Sequence, residues 1–151
     1  MKRIIFGLLA AAILMISSCA QENAGNPGGA WVFKSVTYNP LSCRADSSRL
    51  ISTNGANSMT LVFNNNTGSL PAANGDYTVV STTPAPGQVQ VKASVGTAQY
   101  ISTGGNGAQS VNVTVSNLNS RITVSGSAIQ LLNTTTATDS GKLTFTVNQM
   151  P

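Results

Sequence analysis

From Ala30 onward the chain alternates apolar and polar residues with a period of two, in short runs. Val89, Val91, Ala93 and Val95 alternate with Gln90, Lys92 and Ser94, and Val111, Val113 and Val115 alternate with Asn112, Thr114 and Ser116. The same spacing recurs at Met59, Leu61 and Phe63, at Tyr77 and Val79, at Ile122 and Val124, and at Leu143, Phe145 and Val147. Side chains two apart share one side of a strand, so each run predicts a strand with one buried face. No stretch keeps the 3.6-residue apolar period of a helix, and threonine at the polar positions suits strands. The pattern predicts about nine strands, near residues 30–38, 48–53, 57–64, 76–82, 88–95, 98–102, 109–117, 120–132 and 142–148.

Between the runs lie residues that tolerate turns. Asn54-Gly55, Asn74-Gly75, Gly104-Gly105-Asn106-Gly107 and Asp139-Ser140-Gly141 read as hairpin turns, and Pro84-Ala85-Pro86-Gly87 reads as a longer connection. Many short strands with frequent turns predict an all-β domain, a single antiparallel β-sandwich. The segments beginning ISTNGANS at Ile51 and ISTGGNGA at Ile101 echo each other. In so Ser-, Thr- and Asn-rich a chain this reads as shared composition, and no domain division follows from it.

The first residues follow a different pattern. Lys2 and Arg3 precede thirteen unbroken apolar or glycine residues, Ile4 to Ile16, and then Ser17 and Ser18. That run is too short for a membrane-spanning helix, and it has the basic and apolar regions of an export signal. Ile16-Ser17-Ser18-Cys19 resembles the lipobox of bacterial lipoproteins. The resemblance implies cleavage before Cys19, diacylglycerol on its sulfur and acylation of its new amine, several chains being needed for a stable anchor. Ala20 in place of aspartate implies routing to the outer membrane, facing the periplasm or the cell surface. Residues 1–18 are therefore expected to be the signal peptide and 19–29 a lipidated tether, rich in Gly, Asn, Gln and Pro. Residues 30–151 are expected to form the β-sandwich domain.

The chain carries 8 cationic and 4 acidic residues, no histidine and only 8% charged residues, a formal charge of +4. Removal of the signal peptide leaves six cations against four carboxylates, scattered along the chain. Nucleic-acid binding needs clustered cations, so nucleic acid is not expected as a partner. Arg44, Asp46 and Arg49 read as a surface ion network of little energetic weight. Lipidation of Cys19 would leave Cys43 without a partner in the chain, and a lone cysteine is expected in the core.

Enzymatic chemistry is poorly supplied. The body offers Asp46, Asp76 and Asp139 and neither glutamate nor histidine, so no general base or activated nucleophile is evident. Asp76 and Asp139 flank turn residues, which explains them without the carboxylate pair of a glycosidase. Asn74 and Asp76 supply two oxygens where calcium takes six to eight, and no metal site or cofactor is expected. The Gly104–Gly107 loop joins two strands and leads into no helix, unlike a phosphate loop. Trp31, Phe33, Tyr38, Phe63, Tyr77 and Tyr100 read as core residues. An exposed ring among Asn, Gln, Ser and Thr would instead suit sugar stacking.

The lipobox, the glycine-rich tether, the Trp31-to-Lys34 opening and the polar strands together resemble small lipoproteins of Bacteroidota type, a group whose members carry no assigned function. Gly29-Ala30-Trp31 also resembles the opening of lipocalin-like barrels, which implies a closed barrel as the alternative fold. The expected role is a membrane-anchored, non-catalytic binding or structural component of the envelope. The alternative is a surface glycan-binding or adhesion module.

Overall fold

A computed structural model describes residues 27–64, 68–104 and 109–151. These residues are all-β, with eleven strands: β1 (Gly29–Phe33), β2 (Val36–Tyr38), β3 (Ser42–Asp46), β4 (Arg49–Asn54), β5 (Asn57–Phe63), β6 (Gly75–Val80), β7 (Gln88–Val95), β8 (Ala98–Ser102), β9 (Ser110–Val115), β10 (Ile122–Asn133) and β11 (Ser140–Asn148). They form one sheet in the order β2-β1-β11-β10-β9-β6-β7-β5-β4-β3, with β8 between β10 and β7. Every strand sends at least one side chain into a single core, which holds Trp31, Phe33, Leu50, Leu61, Phe63, Val91, Ile129 and Leu143 among others. A large sheet with one apolar face must fold over on itself to bury that face, giving a sandwich-like domain.

Three features differ from the sequence expectation. The predicted strand at 30–38 is a hairpin, β1 and β2, turning at Lys34 and Ser35, whose φ angles are 50° and 64°. A two-residue hairpin loop demands that left-handed conformation, which glycine or asparagine adopts more readily. β3, with the sequence SCRAD, was not anticipated and pairs antiparallel with β4. The sheet is mixed, because β6 and β7 run parallel. They pair only from Thr78 to Val80 against Gln88 to Gln90, so the proline-containing connection between them needs to step back only a short way.

No closed barrel forms. The two extremes of the sheet approach each other through the C-terminal tail, where the Met150 N–H donates to the Cys43 carbonyl at 2.7 Å and the Asn148 N–H to the Gly28 carbonyl at 3.2 Å. No strand ladder joins β2 to β3. Trp31 is fully buried and stacks on Tyr38, with centroids 3.8 Å apart.

Two of the expected hairpin turns are connections of another kind. β5 and β6 are not paired, nor are β8 and β9, so neither Asn74-Gly75 nor Gly104 lies in a hairpin. Gly104 has φ of 59°, and a Cβ there would stand 2.8 Å from the Ser81 nitrogen, so both conformation and space require glycine. The echoed segments accordingly form different structures, a β4–β5 hairpin after Ile51 and an unpaired β8–β9 link after Ile101.

Between β7 and β10 the sheet forks. At one end β8 alone bridges them; at the other, β6 and β9 lie between them. The backbone groups stranded at the fork are met by two side chains. On β7, β6 pairs up to Gln90 and β8 from Lys92, and the intervening Val91 N–H donates to Ser102 Oγ at 3.1 Å. Ser102 Oγ in turn donates to the Val80 carbonyl at the end of β6. On β10, β9 pairs up to Gly126 and β8 from Leu131. There the Gln109 side chain accepts from the Gln130 N–H at 3.1 Å and donates to the Ala128 carbonyl at 2.8 Å. Buried backbone groups require partners, and these polar side chains take the place of a missing strand.

The β10 side of the fork also bends. Its ladder with β11 shifts between Gly126 and Ile129, and Ala128 has φ of 53°. This bulge moves the inward set from even positions (Ile122, Val124) to odd ones (Ile129, Leu131). At Gly126 a Cβ would lie 2.7 Å from the Phe145 ring, so the ring occupies the space above the glycine.

Candidate functional site

Residues 1–18, Cys19 and the tether as far as residue 26 lie outside the described residues, as do Gly105, Asn106 and Gly107. The body receives the chain at Gly28 and Gly29, with Gly29 opposite Val147 of β11. Among the described residues no helix is long and apolar enough to cross a membrane.

The structure places the two candidate carboxylates in different neighbourhoods. Asp76, on β6, accepts from the Asn112 amide at 2.9 Å and lines a depression with Ser110, Ser125 and Thr146 on the outer face of β6, β9, β10 and β11. Asn74 accepts from the Val115 N–H at 2.7 Å. The oxygens of Asn74 and Asp76 are thus each engaged with β9. Among the described residues no three His, Cys, Asp or Glu side chains group as metal ligands would.

Asp139 belongs to a cluster at the β10–β11 turn that sequence spacing did not reveal. Its Oδ1 is paired with Lys34 Nζ. Its Oδ2 accepts from Tyr100 Oη at 2.7 Å and from Asn133 Nδ2 at 3.0 Å. Lys34 Nζ also donates to Tyr100 Oη at 3.0 Å and lies 4.7 Å from that ring's centroid. The Lys34, Tyr100 and Asn133 hydrogen bonds hold the Asp139 carboxyl down to about 2, and the bond to Asp139, with that to Tyr100, raises Lys34 above its ordinary value. Both groups are ionised at neutral pH. Nucleophilic use of Lys34, or amide formation between the pair, needs the neutral forms that this arrangement disfavours. The cluster fits a clasp that caps the edge-to-face pair of Phe33 and Tyr100, whose centroids are 4.7 Å apart.

Cys43 is fully buried, has no disulfide partner among the described residues, and desolvation pushes its thiol up to about 12. A neutral buried thiol is inert. Trp31, Phe33, Tyr38, Phe63 and Tyr100 are buried, and Tyr77 packs partly buried at an edge-to-face distance of 5.2 Å from Phe63. No ring among these six offers an open stacking platform.

The expected ion network of Arg44, Asp46 and Arg49 does not form. Among the described residues the one ion pair is Lys34–Asp139. Asp46 and Arg49 are register partners beside the β3–β4 turn and share the outer face, but they form no ion pair, and Arg49 lines a depression toward β5. That depression, of about 210 Å³, lies on the outer face of β4, β5, β7 and β8 and is lined by Arg49, Ser58, Thr60, Val62, Lys92, Ser94 and Gln99, with the buried Ala93 beneath. Its lining holds two cations and no carboxylate. Sequence reading missed the site because Arg49 and Lys92 are distant in the chain and meet only through the β4–β5–β7 pairing.

No protein family, characterised protein or solved structure matches this chain.

Proposed function

We propose that the protein is a lipid-anchored component of a bacterial envelope, held at the outer membrane through Cys19, with a non-catalytic binding or structural role. The observation that carries this reading is the ordered run of Lys2-Arg3, the apolar stretch Ile4–Ile16 and Ile16-Ser17-Ser18-Cys19, followed by a polar, glycine-rich segment. The folded body is compatible with it. Asp139 is clasped at a turn and Asp76 is engaged across strands, Asp46 is exposed at the β3–β4 turn, and the thiol of Cys43 is buried.

The glycan-binding alternative draws support from the cationic, hydroxyl-lined depression around Arg49 and Lys92, which suits a ligand better than a purely structural surface. Replacement of Cys19 tests the anchor. In a bacterial host that processes lipoproteins, the parent chain is expected in the membrane fraction, labelled by radioactive palmitate. Cys19→Ser is expected to lose the label and to accumulate unprocessed or leave the membrane. An unlabelled parent chain, or equal labelling of Cys19→Ser, would contradict the reading.

A further inference from the structure

We propose that the outer face of β4, β5, β7 and β8 binds an acidic polysaccharide, with Arg49 and Lys92 taking its anionic groups and the hydroxyls that line the same depression its sugar hydroxyls. The inference rests on the envelope reading only in that an envelope location places such polymers within reach.

The first observation is charge. Arg49 and Lys92 are both exposed, line the same depression, and have no carboxylate within 4.0 Å, the ion pair among the described residues being Lys34–Asp139. In a body with so few charges, two exposed cations lining one concave surface favour an outside anion, with Asp46, the register partner of Arg49, the carboxylate beside them on that face. The second is spacing. Arg49 is opposite Val62, and Lys92 is opposite Thr60, two residues along β5. With strands about 4.8 Å apart and about 3.4 Å per residue, their Cα atoms stand about 12 Å from each other. The two side chains are long and flexible, so at that separation their heads reach two successive charges of a polymer or close together on one, and the hydroxyl lining beside them favours the polymer.

The third observation is the lining. Thr60 and Val62 lie between the cations, and Ser58, Ser94 and Gln99 line the depression beyond Lys92; hydroxyls and amides both donate and accept, as sugar hydroxyls do. Ser94 Oγ already accepts from Gln99 Nε2 at 2.7 Å, which fixes the amide within the depression. An acidic peptide is disfavoured by the fold. β5 and β7 have both edges paired, so a peptide cannot add as a strand, and the depression is lined by no aromatic ring to anchor a side chain.

The test uses the full chain, extracted in mild detergent and immobilised, titrated with polygalacturonate and with dextran sulfate. Fully methyl-esterified polygalacturonate and poly-glutamate serve as comparisons. Saturable binding to at least one acidic polysaccharide is expected, weakening with salt and absent for the ester. The exposed double variant Arg49→Gln/Lys92→Gln is expected to bind about tenfold more weakly or worse. Arg121→Gln/Lys142→Gln, which removes the same charge elsewhere, is expected to bind as the parent does, both variants keeping the parent's unfolding midpoint. Binding of neither acidic polysaccharide, equal losses in the two double variants, or equal affinity for the ester or for poly-glutamate would overturn the proposal. Failure here leaves the palmitate labelling of Cys19 unaffected, so the two readings are judged separately.

Discussion

Ser102→Ala probes the fork on which this sheet depends. Ser102 is fully buried, and its hydroxyl accepts from the Val91 N–H at 3.1 Å while donating to the Val80 carbonyl. Val91 is itself fully buried, so water cannot replace the lost acceptor. An orphaned buried N–H costs about 1–3 kcal/mol, and the lost bond to the Val80 carbonyl about 1 kcal/mol more. The removed oxygen leaves too small a gap to add much cavity cost. We therefore expect Ser102→Ala to destabilise the domain by about 2–4 kcal/mol, lowering the thermal midpoint by about 10 °C. Guanidinium unfolding followed by circular dichroism measures the change. Ser94→Ala, which removes an exposed hydroxyl on the outer face, is the matched control, with an expected change below about 0.5 kcal/mol. A Ser102→Ala loss as small as the control's would show that the fork does not depend on this side chain.

Ser52 Oγ is buried with no hydrogen-bond partner, so Ser52→Ala is expected to stabilise the domain by about 1 kcal/mol in the same unfolding assay; destabilisation would point to a partner for that hydroxyl. Cys43, with its thiol pushed up to about 12 by burial, is expected to resist a thiol reagent at pH 8 in the folded protein and to react promptly in denaturant. Rapid labelling of the native state would contradict its burial. Asp139, held down to about 2, is expected to titrate near that value by NMR and to move up toward the ordinary range in Lys34→Ala. Because its folded value lies below its unfolded one, the clasp is fully present above about pH 4 and fades as pH falls through about 2. An Asp139 midpoint near 4 in the parent would refute the clasp.

The strands that alternate cleanly were legible because period two is a local signal. β5, β7, β9 and β11 lie where Met59, Val91, Val113 and Phe145 placed them. The β1–β2 turn was not legible, because Lys34 and Ser35 adopt left-handed angles that their side chains do not advertise. β3 was hidden because SCRAD buries only Cys43 and exposes both charges. The parallel β6–β7 pair and the fork are properties of long-range pairing. Ser102 and Gln109 gain their roles only once β8 is known to pair with both β7 and β10. The same reason hid the surface sites. Lys34, Tyr100 and Asp139 converge from three separate strands or turns, as Arg49 and Lys92 do. What the chain did state locally was the run Ile16-Ser17-Ser18-Cys19 that we propose as a lipobox, and the proposed consequence concerns residues before the folded body.

The intact mass of the protein purified from the envelope tests that consequence most directly. The account predicts a species that begins at Cys19, with a blocked amine and a mass equal to residues 19–151 plus diacylglycerol and one further acyl chain. A mass matching the uncleaved chain, or a cleaved chain without lipid, would contradict it.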